Sequence, residues 1–146
     1  MTDTTLPPLP TGTSDFEALR QRGQIYVDKT ALIHELASKP EKFFLTRPRR
    51  FGKSLLVTTL ASLFRHGLRF FSGLAIEKLW HDTTYAVVEL DFSELKNILD
   101  AGDFERQLDE ALENAFMPAG FKREKMSSMS VIKQLSAWMK TLPLNS

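Results

Sequence analysis

The chemistry of this sequence is concentrated in the run Arg47-Pro48-Arg49-Arg50-Phe51-Gly52-Lys53-Ser54. Its last three residues match the end of the pattern G-x-x-x-x-G-K-[ST]. In that pattern backbone amides wrap phosphates, the lysine neutralises the β and γ groups, and the hydroxyl ligates Mg2+. The first glycine of the pattern is replaced by Arg47. Glycine at that place lets the backbone turn sharply toward an anion, and Pro48 removes one donor amide, so the loop departs from the general pattern at its start. The candidate nucleotide-binding residues are Arg47, Arg49, Arg50, Phe51, Gly52, Lys53, Ser54 and Leu55, with Ser54 also the candidate metal ligand. The same basic residues fit two other readings: a solvated surface loop, or a patch that touches nucleic-acid phosphates.

The elements around the loop favour the phosphate reading. Phe43-Phe44-Leu45-Thr46 is a compact apolar run that reads as a short buried strand. After Gly52 the pattern changes period. Leu56, Leu60, Leu63 and Phe64 share one face of a helix that should end at Gly67. Strand, basic loop and helix in that order would bring loop amides and the positive end of the helix dipole to one anion site.

Further along, Tyr85 to Phe92 reads as a second core strand, far enough away for a parallel crossover. Upstream, Leu32, Ile33, Leu36 and Ala37 predict a short helix over 30–38, with Asp28 or Thr30 as cap and Pro40 just beyond its end. Two more helices are expected downstream, one carrying Phe104, Leu108, Leu112 and Phe116, the other Val131, Ile132, Leu135, Trp138, Met139 and Leu142. The fold class expected is therefore α/β, a P-loop NTPase-like parallel sheet flanked by helices. Two strands are few for such a sheet, so an incomplete one is expected. Residues 1–13, rich in proline and threonine, are expected to form an extended lead-in to a domain over 14–146.

Composition bounds the rest. The 146 residues suffice for one core, with 42% hydrophobic and 25% charged residues, the balance of a globular protein. A net charge of +1 gives no global field to attract nucleic acid. With no cysteine, disulfides and thiolate chemistry are excluded, and a reducing compartment is suggested. The amino terminus has neither the basic start nor the apolar run of a secretory signal, and no segment has the apolar length of a membrane span. The expected location is cytoplasmic, without membrane association.

Residues 9–55 carry a resemblance. The run LPTGTSDFEALRQRGQIYVDKTALIHEL, with Tyr26-Val27-Asp28-Lys29-Thr30 inside it, and then FFLTRPRRFGKSLL, closely resembles the bacterial and archaeal AAA-ATPase-like family. The later FFSGLAIEKLW and YAVVELDFS are similar to family segments as well. Arginine at the first glycine position is how that family writes its P-loop. The resemblance implies ATP bound with Mg2+ through Ser54, Lys53 on the β and γ phosphates, and the amides of Arg49 to Ser54 around them. It also implies a longer protein, with a Walker B strand ending in Asp-Glu beyond this segment and often a nuclease-like domain of the PD-(D/E)XK type. A missing C-terminal domain or a second copy of the chain is an expected partner. Without the Walker B carboxylates, hydrolysis by this chain alone is not expected.

Other chemistry-bearing residues read as structural. Asp91, after the apolar run 87–90, could pass for a Walker B aspartate, but it also suits a cap for the turn 91–94, which is the preferred reading. His34, His66 and His81 lack partners at metal spacing. Asp28 and Lys29 could support the P-loop, or simply form a cap and a surface pair. Asp103, Glu105, Asp109, Glu110 and Glu113 belong to the polar side of a helix.

Overall fold

A computed structural model describes residues 6–46, 48–81 and 83–143 of the chain. These residues divide into two compact units, Met1–Tyr85 and Ala86–Ser146.

The first unit is built from α1 (Phe16–Gln21), α2 (Thr30–Ala37) and α3 (Lys53–His66), followed by 3-10 turns at Gly67–Phe70 and Ala75–Lys78. Asp15 starts α1 by accepting a hydrogen bond from the Ala18 amide at 3.0 Å, which satisfies one of the orphan donors of the first turn. The apolar stripes of these helices meet in one core. Phe16, Ile33, Leu63, Phe71, Leu74 and Ile76 are buried there, and Tyr26, Leu55, Leu56 and Trp80 pack against it. Phe16 stacks at 4.6 Å on Phe71 and at 5.2 Å edge-on to Tyr26. Each fully buried side chain of this size contributes about 2 kcal/mol by leaving water.

Polar ties fix the register of these pieces. Asp28 accepts from both the backbone amide of Thr30 at 2.9 Å and its hydroxyl at 2.6 Å, and its other oxygen accepts from the Ala75 amide at 2.8 Å. The Thr30 hydroxyl in turn accepts from the Ile76 amide at 3.1 Å, in a buried position. The N-cap of α2 is Lys29, not the expected Asp28 or Thr30, and the Asp28 carboxylate instead pins the start of the helix to the 3-10 turn at Ala75–Lys78. Arg20 does the equivalent for α1, donating to the Phe70 carbonyl at 3.0 Å and the Ser72 carbonyl at 2.6 Å.

The helix α3 ends where the sequence placed its stop. Gly67 sits at φ 59°, ψ −136°, a conformation that essentially only glycine adopts without strain. Arg65 and His66 in the last turn face the negative end of the helix dipole.

The second unit contains α4 (Ala101–Phe116), a 3-10 turn at Met117–Ala119, and α5 (Val131–Met139). Asp100 caps α4 by accepting from the Asp103 amide at 2.8 Å. The core here is small: Phe121, Val131 and Leu135 are buried, with Leu112, Phe116 and Trp138 packed on them. Arg123 joins the polar side, its guanidinium 3.3 Å from both Asp109 and Glu113.

The expected α/β class is not what forms. Among the described residues there is no β-strand and hence no parallel sheet; the regular structure is helical. Residues 43–46 and 85–92, expected as core strands, carry no strand pairing. Phe44 is 92% exposed and Leu90 39%, so neither run is buried as a core strand would be. A strand exists only by satisfying its amides and carbonyls on a neighbour, and an apolar run supplies side chains without supplying that neighbour. The Tyr85 amide instead donates to the Phe64 carbonyl, at 2.6 Å, on the last turns of α3.

Candidate functional site: the loop before the third helix

The loop enters α3 through two left-handed residues, Arg50 at φ 66° and Gly52 at φ 75°. A non-glycine residue in that region costs about 1 kcal/mol, so the conformation of Arg50 is held by its surroundings. Gly52 is the N-cap and has no side chain to accept from the first-turn amides, which an α-helix leaves without intrahelical partners. Leu56 is the first to close the ladder, donating to the Gly52 carbonyl at 3.0 Å. The first turn contains no acidic residue. The helix therefore directs its first-turn amides, its positive dipole end and the ammonium of Lys53 to one tip.

A pocket of about 270 Å3 lies at this tip, lined by Thr13, Ser14, Arg50, Gly52, Lys53, Ser54 and Leu55. Among the described residues no carboxylate lines it. Five of the residues read from the sequence, Arg50, Gly52, Lys53, Ser54 and Leu55, come together here. Arg49 and Phe51 do not line this pocket; Arg49 is exposed, and Phe51 faces a second pocket beside it. Arg47 lies outside the described residues.

Thr13 and Ser14 were not singled out by sequence. They reach the loop because Thr58, on α3, holds the start of α1: its hydroxyl accepts from the Phe16 amide at 3.2 Å and is 2.9 Å from the Ser14 carbonyl. The available signal was the Thr13-Ser14-Asp15 capping sequence ahead of Phe16, which marks a helix start but says nothing of the loop 40 residues away.

The chain matches the AAA-ATPase-like family, described as Predicted AAA-ATPase, over residues 10–145. It belongs to that family. A curated relative from Azotobacter chroococcum mcd 1, named "Uncharacterized protein in vnfD 5'region", is 38% identical over 106 residues. That alignment covers 71% of this chain and 20% of the relative, so the chain spans about a fifth of that protein's length. No solved structure matches.

The other candidates of this family member resolve structurally. Asp91 accepts from the Ser93 amide at 2.9 Å as the N-cap of the 3-10 turn Phe92–Glu94, and that hydrogen bonding holds its carboxyl below the usual range. Asp28 is the clamp on α2 described above. Desolvation pushes its carboxyl up, but the bonds from Thr30 and Ala75 outweigh it and leave it below its ordinary value. Among the described residues no cluster of three or more His, Asp or Glu could hold a metal ion, and no helix is long and apolar enough to cross a membrane.

Proposed function

We propose that this chain binds a nucleoside triphosphate, ATP in keeping with its family, as the N-terminal part of a longer P-loop ATPase. The observation that carries this reading is the pocket at the tip of α3. There Arg50, Lys53, Ser54 and first-turn amides converge with no opposing carboxylate among the described residues. Such a donor set suits an anion of the phosphate kind. Lys53 would neutralise the β and γ phosphates, and the amides around Gly52 would wrap them.

For the metal, Ser54 is the single hydroxyl of the motif in the pocket, so Mg2+ would be held by Ser54, phosphate oxygens and water, and would enter with the nucleotide. The ion would supply charge neutralisation between the β and γ phosphates. Among the described residues no carboxylate lines the pocket to complete the metal shell or orient water, and binding without efficient hydrolysis is the activity proposed for this segment. Residues 14–146 would then be the opening portion of the ATPase domain, the remainder being supplied by the longer protein.

The test is titration of the purified chain with a fluorescent ATP analogue, with and without Mg2+, beside Lys53→Ala. Mg2+-dependent binding that is lost in the variant supports the reading. Equal binding by both proteins, or binding to single-stranded DNA that falls steeply with salt in place of nucleotide binding, overturns it.

A further inference from the structure

The second unit carries an uncovered apolar face of its own. On α5, Val131 and Leu135 are buried and Trp138 packs beside them, which uses one side of the helix. Ile132 and Met139, seven residues apart and so in one row along the helix, are 56% and 48% exposed. Lys133 and Lys140, also seven apart and exposed, border that row, and neither has an ion pair among the described residues. On α4 the residues that pack on the core, Leu112 and Phe116, lie in the second half of the helix. In its first half Phe104 is 41% exposed, next to Glu105, which is exposed and likewise without an ion pair among the described residues.

The two exposed surfaces are opposite in charge. The helix α4 holds five acidic residues against the single Arg106, whereas α5 holds none, and none lies between 125 and 146. A partner for the α5 row must be apolar with an acidic border, and the first half of α4 is such a surface. Both are exposed in the same copy, so neither covers the other there. We propose that the hairpin of α4 and α5 is a homodimerisation surface: two copies pair about a twofold axis, and the outer row of α5 in each lies on the first half of α4 in the other. The symmetry makes the contact twice, with Lys133 and Lys140 facing the acidic side chains around Phe104 both times. A stable interface takes about 800 Å2 and about 20 residues from each partner. The nine residues of α5 cannot supply that alone, but together with the 16 of α4 they do, and the product is a four-helix arrangement. Met139, unbranched and flexible, can repack when the face closes.

The experiment is sedimentation velocity on the full chain from about 1 to 100 μM, the span in which an interface of modest affinity fills. The mass should rise from that of one chain to that of two and stop there. Ile132→Asp places a charge on the row without touching the core, and far-UV circular dichroism verifies the fold. It should weaken pairing at least about tenfold. Lys133→Glu combined with Lys140→Glu should weaken pairing about tenfold at low salt and less at high salt, and adding Glu105→Lys should recover at least about threefold of that loss.

A chain that stays monomeric at the top of that range overturns the proposal. So does a dimer that Ile132→Asp leaves intact, which places the contact elsewhere, or a mass that climbs past two without closing, the mark of unspecific association. Failure of Glu105→Lys to recover the reversed variant overturns the seating of α5 on α4. The outcome is independent of the phosphate loop, and Lys53→Ala should dimerise as the parent does.

Discussion

The two units solve the same problem with different means. The first closes a core of large side chains, Phe16, Phe71, Leu63 and Ile76 among them, around the helix that carries the basic loop. Among its described residues the second buries only Phe121, Val131 and Leu135 as a core, and its α4 has no fully buried residue although it is the longer helix. Its order leans on local devices: the Asp100 cap, the Arg123 pairs, and Gln134, whose amide donates to the Met129 carbonyl at 2.8 Å and accepts from the Glu124 amide at 2.9 Å. Helix amphipathicity by itself therefore does not measure burial. A stripe becomes a core only where other elements cover it.

The largest effect expected from this contrast is on stability. Phe71→Ala should cost about 3 to 5 kcal/mol and unfold the first unit in a denaturant titration, whereas Val131→Ala in the smaller core should cost about 1 to 3 kcal/mol. Native-state hydrogen exchange should likewise protect the amides of α3 more than those of α4, and the reverse order would invert the comparison. Next comes the site: Lys53→Ala should weaken nucleotide binding about 10- to 100-fold, as expected for loss of a charge-assisted contact, with little change in thermal stability because Lys53 is exposed.

Gly52→Ala should destabilise by about 1 kcal/mol through the left-handed φ alone, since open space surrounds the added carbon, and an unchanged midpoint would show that the loop relaxes freely.

The clamp at Asp28 makes a prediction about pH. Its folded-state pKa is depressed, so its stabilisation is complete above the unfolded value near 3.9 and disappears as pH falls through the folded value. The parent should therefore melt above Asp28→Asn at neutral pH and converge with it in strong acid; a constant gap would assign the difference to packing. The smallest effect belongs to the second unit. Arg123→Ala should cost about 0.5 to 1 kcal/mol, reduced by added salt, because its partners are partly solvated.

Much of the first unit is written in local sequence. The period of Leu56, Leu60 and Leu63 with Gly52 and Gly67 at its ends determined α3, because helix periodicity and glycine stops act within the segment. The same holds for the body of α2, but its N-cap is Lys29 and not the expected Asp28 or Thr30, and Asp28 acts instead as a clamp on Ala75, a residue 47 positions away. The segments 43–46 and 85–92 failed for the complementary reason. Apolar β-branched or aromatic runs are compatible with a strand, but a strand is a property of a pair, and no single segment states its partner. At the site, Gly52, Lys53 and Ser54 were readable from their spacing, whereas Thr13 and Ser14 arrive through a tertiary bond to Thr58 that leaves no local mark.

That bond has a further consequence. Thr58 stands on the same helix as Lys53 and Ser54, and the helix continues through the buried Thr59, Ala61 and Leu63 into the core. The tip that would receive phosphate is thus the end of the rod around which the first unit is assembled. A ligand seated on it cannot be retained by an unfolded chain, so occupancy adds directly to the free energy of unfolding, by about 2.7 kcal/mol when the ligand is at a hundredfold excess over its Kd. Heat resistance then becomes a reporter of occupancy, one that senses a bound molecule without any label and without turnover.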